Sequence, residues 1–133
     1  LGFEFNGMRL HEIYFGDLVG GPQALSPESK LFEALKTQFG GLEAWRDAFT
    51  ATAARGSGWI ILNWDPVVGR FHNNWVTNHD EGQLATLPAV LALDFWEHAY
   101  LLDYVPGEKG TYLNAYLDAL NWETVAARFD ALT

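Results

Sequence analysis

Three side chains of types that bind transition metals stand out in the sequence: His11, Asp94 and His98. Asp94 ends an apolar segment typical of a buried strand, and His98 follows four residues later, where we predict the first turn of a helix. A carboxylate at the end of a buried strand is costly unless a cation accompanies it. Two imidazoles and one carboxylate suit a redox-active iron or manganese ion with open coordination positions. The three residues are therefore candidate metal ligands.

Each of these residues, taken alone, is more often structural. Asp94 is also placed to cap a helix N-terminus, with His98 as a hydrogen-bonded core residue. His11 lies among apolar residues of a predicted helix, where a single histidine is usually not a ligand. Of the other histidines, His79 lies in a polar loop, where it either donates to a metal-bound water or is solvated. His72 is predicted to be exposed on a hairpin strand.

Composition limits the other classes of function. The chain has 133 residues, with 8 Lys and Arg against 17 Asp and Glu, and a formal net charge of −9. Nucleic acids and anionic membranes are disfavoured as partners, because binding either of them needs a basic face. The absence of cysteine excludes disulfides, thiolate zinc sites and cysteine nucleophiles. It also fits a reducing compartment, and we expect a cytoplasmic location.

The elements that must position the candidate ligands are predicted in the order helices, strands, helices. The predicted helices cover residues 2–18, a segment opened by Ser26-Pro27-Glu28, a segment around Trp45 and Phe49, and residues 96–104, 112–120 and 122–132. The predicted strands cover residues 59–62, 71–77 and 89–95. This order predicts one α+β unit with a small three-stranded antiparallel sheet, because an alternating βαβ pattern is lacking.

A specific motif links these elements to a known family. Asp94-Phe95-Trp96-Glu97-His98-Ala99-Tyr100 resembles the D-x-W-E-H-A-Y signature of iron/manganese superoxide dismutases. Weaker resemblances follow the family's order: Phe5-Asn6-Gly7 through His11 and Tyr14, Gly56-Ser57-Gly58-Trp59, Tyr112-Leu113-Asn114-Ala115 and Asn121-Trp122-Glu123. The resemblance implies a C-terminal α+β domain over residues 21–133. Residues 1–20 would be a remnant of the N-terminal helical domain, namely its second hairpin helix, with no separate linker.

The resemblance also implies roles for single residues. The implied ligands of one iron or manganese ion per chain are His11, Asp94 and His98. His79 would donate a hydrogen bond to the metal-bound solvent from the loop, because the alternative helix position is Gly7. Trp96 would line the metal pocket.

The same resemblance implies a homodimer or a higher oligomer of dimers. Glu97 would reach across the interface to the partner's imidazole equivalent to His98, where a carboxylate orients the ring and fixes its tautomer. Tyr100 would join that interface. The implied dimer therefore contributes to the metal site as well as to stability.

Three features of the family have no counterpart in this sequence. The family's first histidine ligand and its gateway tyrosine lie on a helix well upstream, and only ten residues precede His11. The chain is therefore either a fragment of a longer protein or a reduced relative with an incomplete site, and we expect the fragment, because it begins with Leu1 in the middle of a predicted helix. The family's arginine before the Y-L element is also absent, and Glu108 and Lys109 occupy that stretch.

The implied function is superoxide dismutation, in which the metal alternates between trivalent and divalent states while superoxide becomes oxygen and hydrogen peroxide. One alternative is a non-catalytic dimeric module with an incomplete or empty site, which the missing first ligand favours. The other is a non-haem iron enzyme that uses two histidines and one carboxylate with O₂. That alternative needs an organic-substrate pocket, for which the sequence shows no sign.

Overall fold

The structure, a computed structural model, describes residues 1–104 and 106–133. Its helices are α1 (Gly2–Gly16), α2 (Lys30–Phe39), α3 (Leu42–Ala53), α4 (Lys109–Ala119) and α5 (Trp122–Leu132). Its strands are β1 (Trp59–Asp65), β2 (Arg70–Val76) and β3 (Ala89–Asp94), and single 3₁₀ turns lie at Glu97–Ala99 and Pro106–Glu108. The predicted α+β class with three antiparallel strands is confirmed. No helix in the described ranges is long and apolar enough to cross a membrane.

The sheet has the order β2-β1-β3, and both pairs are antiparallel. The central strand is apolar at Trp59 and over residues 60–62, all of which are fully buried, as a strand covered on both faces requires. β3 is buried over residues 90–94. The register pairs Trp59 with Asp94, so the start of β1 and the end of β3 meet at one end of the sheet.

A glycine allows this close approach at the start of β1. Gly58 has a φ of +128°, and a Cβ built there would lie 2.2 Å from the carbonyl oxygen of Val76. Any side chain would therefore clash with the backbone of β2. The Gly58 carbonyl in turn accepts a hydrogen bond of 2.8 Å from the backbone N–H of Phe95, just after β3. The glycine fixes the backbone next to the candidate ligand Asp94.

Helices cover the sheet, and a side chain of α2 hydrogen-bonds the backbone of one edge strand. α2, α3 and α5 carry the buried side chains Leu31, Leu35, Trp45, Phe49, Val125 and Phe129. On β2, the edge strand, the Gln38 side chain donates to the carbonyl of Phe71 at 2.9 Å and accepts from its N–H at 2.7 Å. The amide of Gln38 thus takes the place that a neighbouring strand would occupy.

The predicted start of the second helix is wrong. The helix expected from Ser26 begins at Lys30, because Ser29 is the residue whose hydroxyl accepts the N-terminal backbone hydrogen bond, from Phe32 at 3.1 Å. Ser26 instead forms a turn, in which its carbonyl accepts from the N–H of Ser29. A serine followed by proline and an acid predicted a start one turn too early.

The helix expected over residues 96–104 is largely absent. The structure has only the 3₁₀ turn Glu97–Ala99, followed by turns up to Tyr104. Leu101 and Leu102 supply helical spacing in the sequence, but both are exposed, and Leu102 almost completely. A short helix without a buried apolar face lacks the packing that stabilises most protein helices.

Candidate metal centre

The structure brings His11, Asp94 and His98 together at the end of the sheet where β1 and β3 meet. The Nε2 atom of His11 lies 3.0 Å from Oδ2 of Asp94, and Nε2 of His98 lies 2.8 Å from the same oxygen. One potential ligand atom from each of the three residues lies within 4.8 Å of the other two. His11 and Asp94, which are 83 positions apart in the chain, therefore meet in one polar cluster at the edge of an apolar core.

Asp94 is the central residue of this cluster, and the backbone fixes its orientation. It is the last residue of β3 and only 2 % exposed. Its Oδ1 accepts a hydrogen bond of 3.1 Å from the N–H of Trp96, and its carbonyl accepts one of 2.6 Å from the hydroxyl of Tyr112. The second carboxylate oxygen, Oδ2, is left to face both imidazoles. His98 reaches it from the 3₁₀ turn rather than from the predicted helix.

The tautomer of His11 indicates that a proton or a cation must lie between His11 and Asp94. Its Nδ1 lies 2.7 Å from the carbonyl oxygen of Gly7, an atom that can only accept, so Nδ1 carries a proton. In the neutral ring the lone pair of Nε2 then faces a carboxylate oxygen of Asp94 at 3.0 Å. Two acceptors at this distance require a proton on one of the two atoms or a bound cation between them. The residues present therefore fit a cation, and two imidazoles with one carboxylate suit iron or manganese.

His79 lies beside the three candidate ligands, and its tautomer is also fixed. Its Nδ1 accepts a hydrogen bond of 2.9 Å from the indole N–H of Trp59. Its ring centre is 6.1 Å from that of His11 and 6.0 Å from that of Trp96. Burial, and secondly the neighbouring charge of His11, lower the pKa of His79. The ring is therefore neutral near pH 7, with its proton on Nε2.

A glycine on α1 makes room for that ring. A Cβ built on Gly7 would lie 3.1 Å from Cδ2 and 3.2 Å from Nε2 of His79. The side-chain amide of Asn6 donates to the carbonyl of His79 at 3.0 Å and anchors the loop to the same helix. The loop residue thus occupies the space that a side chain at position 7 would take.

The remaining predicted site residues lie around the cluster. The Trp96 ring is near the His98 ring, with centres 6.5 Å apart, and its buried indole N–H has no hydrogen-bond partner among the described residues. Glu97 is exposed on the 3₁₀ turn. Tyr100 is 3 % exposed and stacks on Tyr112 at 5.3 Å, and burial raises the pKa of its hydroxyl. The roles of these three residues toward a metal or a partner subunit stay predictions.

His72 lies outside the cluster, as predicted. It is on β2 with its side chain exposed, and its Nε2 is 3.8 Å from a carboxylate oxygen of Asp65. Lys109, in the stretch where the family has an arginine, donates to the Ser57 hydroxyl at 3.3 Å and lies 4.3 Å from the centre of the Phe95 ring. Burial lowers the pKa of its amine.

Sequence reasoning missed three contributors to the cluster. The sequence places Trp59 only at the start of a predicted strand, yet its indole N–H sets the tautomer of His79. Tyr112 was assigned to a helical stripe, yet its hydroxyl binds the carbonyl of Asp94. Gly7 contributes its carbonyl to His11. For Trp59 and Tyr112 a signal existed, because buried indole and phenol groups normally find hydrogen-bond partners.

Comparison with known proteins gives a family match over most of the chain. The family described as iron/manganese superoxide dismutases, C-terminal domain, matches residues 27–128. A relative from Halobacterium salinarum named superoxide dismutase [Mn] 2 is 39 % identical over 104 residues, which cover 78 % of this chain and 52 % of the relative. Superoxide dismutase [Fe] from Cupriavidus metallidurans is 37 % identical over 129 residues, or 95 % of this chain and 63 % of the relative.

A third relative extends over the whole chain. Superoxide dismutase [Mn] from Corynebacterium diphtheriae is 37 % identical over an alignment of 137 residues, which covers 100 % of this chain and 67 % of the relative. The chain thus spans between about half and two thirds of the length of these relatives. The match runs through α2, the sheet and most of α5. By this match, the chain belongs to the iron/manganese superoxide dismutase family.

Proposed function

We propose that this chain carries the metal-binding part of a superoxide dismutase. The observation that supports this most is the approach of two imidazole nitrogens to one buried carboxylate oxygen, at 2.8 and 3.0 Å. Relatives that match this chain are named as manganese or iron superoxide dismutases. The activity is a proposal for this chain, because it spans only part of their length.

In this proposal His11, Asp94 and His98 hold one iron or manganese ion. When bound, such an ion supplies the alternation between trivalent and divalent states that oxidises one superoxide to oxygen and reduces the next to hydrogen peroxide. Asp94 contributes a negative charge from a site with little solvent, which favours a cation there. The carbonyl of Gly7 and the N–H of Trp96 keep His11 and Asp94 oriented, as partners behind metal ligands do.

His79 supplies a proton donor beside this site. Because Trp59 donates to its Nδ1, its own N–H is on Nε2. The lowered pKa of His79 keeps the ring neutral near pH 7, so that it can donate one hydrogen bond without adding a positive charge. A loss of the Trp59 contact would let the ring exchange tautomers. Trp59 is therefore a positioning residue for His79.

We further propose that a second copy of the chain covers the surface around His98. The side chain of His98 is 59 % exposed even though its Nε2 faces Asp94. Glu97 and the apolar Leu101 and Leu102 are exposed on the same short segment. In a dimer Glu97 would hydrogen-bond His98 of the partner subunit, with Tyr100 packed beneath the interface.

Two finer assignments belong to the same proposal. The family match begins at residue 27, after α1, which supports assigning residues 1–20 to an N-terminal helical part and residues 21–133 to the C-terminal domain. A cytoplasmic location agrees with a chain that contains no cysteine.

Metal analysis combined with a superoxide-consumption assay tests the function. The chain is reconstituted with Fe²⁺ or Mn²⁺, desalted, and its bound metal is measured by mass spectrometry. We expect close to one ion per chain, abolished in His98→Ala and retained in the matched control His72→Ala. Full metal occupancy in His98→Ala would refute the site, and metal-dependent consumption of superoxide would support the enzyme.

The alternative of a non-catalytic module has its own supporting observation. Within the described ranges, only three metal-binding side chains converge, one fewer than the family's ligand set. A stable dimer that binds no metal would favour this alternative. Measuring the dimer constant of Glu97→Ala by sedimentation separates the interface from the chemistry. We expect weaker association and lower metal occupancy, and an unchanged constant would remove the role of Glu97.

A further inference from the structure

A cavity lies far from the candidate metal centre, at the other end of the sheet. It has a volume of about 600 Å³ and lies between α2 and the turn that joins β1 to β2. Its lining includes Lys30, Glu33, Thr37, Trp64 and Arg70. Trp64 and Trp59 are five residues apart on β1, which corresponds to about 17 Å along a strand. The cavity is therefore at the opposite end of the sheet from Asp94.

An aromatic surface is held in place in this cavity. Trp64 is half-buried, with its ring 4.8 Å from that of Phe71 and 4.9 Å, edge to face, from that of Phe129. Both contacts come from buried residues of the core, so the indole is fixed before any ligand arrives. A fixed aromatic side chain is suited to stack on a planar ring, because little side-chain entropy is lost on binding.

Two basic side chains line the same cavity as this indole without forming an ion pair in the part of the chain that the structure describes. Among the described residues, Lys30 and Arg70 form neither an ion pair nor a ring contact, although the chain has 17 acidic residues for 8 basic ones. Five other basic side chains do have such contacts: Arg9, Arg46, Arg55, Arg128 and Lys109. Lys36 is the third basic residue without one, and it does not line the cavity. The free cations of an acidic chain are thus concentrated at this cavity.

We infer that the cavity binds a small molecule in which a planar aromatic ring is joined to an anionic group, of the class of nucleoside monophosphates. The ring would stack on Trp64, and the phosphate would lie between Lys30 and Arg70. The carboxylate of Glu33, on the same wall, would accept a hydrogen bond from an exocyclic amino group. The volume is within the range of small-molecule sites. This inference is independent of the metal and of the proposed function.

Isothermal titration calorimetry of the chain with adenosine monophosphate tests the inference. We expect a dissociation constant below about 1 mM. Adenosine and inorganic phosphate, each carrying half of the recognised chemistry, should bind at least about tenfold more weakly, because each forgoes one of the two contacts. No detectable binding of the nucleotide, or phosphate binding as tightly as the nucleotide, would overturn the inference.

Surface variants assign the heat of binding to the cavity. Arg70→Glu should weaken nucleotide binding at least about tenfold, because a charge-assisted hydrogen bond becomes a repulsion. Lys36→Glu, on α2 outside the cavity lining and with the same change of charge, should alter it less than about twofold. Thr37→Trp fills the cavity without changing its charge and should abolish binding. Equal losses in Arg70→Glu and Lys36→Glu, or full binding in Thr37→Trp, would refute the site.

Discussion

The sheet and helix α1 contribute to the same candidate metal centre, but they are held in place by different forces. β1 and β3 are buried almost completely by apolar side chains. α1 buries only Gly7, Leu10 and Tyr14, and exposes Phe5, Met8 and Phe15 among others. Polar contacts attach it instead: Tyr14 to Tyr112 at 2.8 Å, and Asp17, just after the helix, to Arg128 at 2.8 Å.

This difference separates the stability of the fold from the geometry of the site. Asp94 and Trp59 belong to the apolar region and are fixed whenever the sheet is folded. His11 belongs to α1, so its distance to Asp94 depends on a few polar contacts. Substitutions in the two regions should therefore have distinct signatures. Changes in the sheet should lower the free energy of unfolding, and changes at the α1 contacts should also lower metal affinity.

The largest effect on stability is expected in the sheet. Leu91 is fully buried on β3, opposite Leu62, and Leu91→Ala should lower the free energy of unfolding by about 2–5 kcal/mol because it leaves a cavity. Met8→Ala, on the exposed face of α1, should change it by about 0.5 kcal/mol or less. Urea unfolding measures both values. Similar losses for the two variants would contradict the comparison.

The next largest effect is expected at the ion pair that follows α1. Arg128→Met leaves the fully buried carboxylate of Asp17 without its cation, and also removes the hydrogen bond from Arg128 to the carbonyl of Val90. We expect a loss of about 2 kcal/mol, at the low end for buried pairs because Arg128 is partly exposed. Metal affinity should fall as well. An affinity equal to that of the wild type would show that this contact does not position His11.

A smaller effect is expected from the buried tyrosines. Tyr112→Phe removes the hydrogen bonds to the Asp94 carbonyl and to the Tyr14 hydroxyl, and should lower the free energy of unfolding by about 1–2 kcal/mol. Tyr116→Phe removes only a hydrogen bond to the carbonyl of Ala92, and is the matched control. Metal titration should show weaker binding for Tyr112→Phe alone. Equal metal affinity in both variants would show that the Tyr112 hydroxyl does not support metal binding.

Part of this arrangement could be predicted from the sequence. The apolar runs at β1 and β3, and the D-x-x-x-H spacing with His11, pointed to the sheet and to the three converging side chains. These features depend on local pattern and on one specific motif. The tautomers of His11 and His79 could not be predicted, because they are set by Gly7 and Trp59 through contacts visible only in three dimensions. The sequence predicted a helix where the structure has the short turn at Glu97, because the spacing of apolar residues does not show that Leu101 and Leu102 are exposed.

The stability of the chain is also expected to depend on pH. Burial raises the pKa of Asp17 to about 6 and outweighs the lowering by Arg128. Since this pKa is above the ordinary value, the folded chain binds a proton that the unfolded chain releases. The free energy of unfolding of the wild type, relative to Asp17→Asn, should therefore increase as the pH falls from about 7 toward about 4. Urea unfolding across this range measures the difference, and a relative decrease on acidification would reverse the sign assigned to Asp17.

The contact between Gln38 and Phe71 has a consequence for how the molecule behaves in a crowded solution. A sheet margin with free N–H and C=O groups is a template on which a strand from another molecule can add, and so a route to aggregation. One glutamine here satisfies both groups of Phe71 with a side chain that imitates a peptide bond. The Gln38 amide thus lowers the tendency of molecules to aggregate through β2. This effect is separate from the chemistry at the far end of the same sheet.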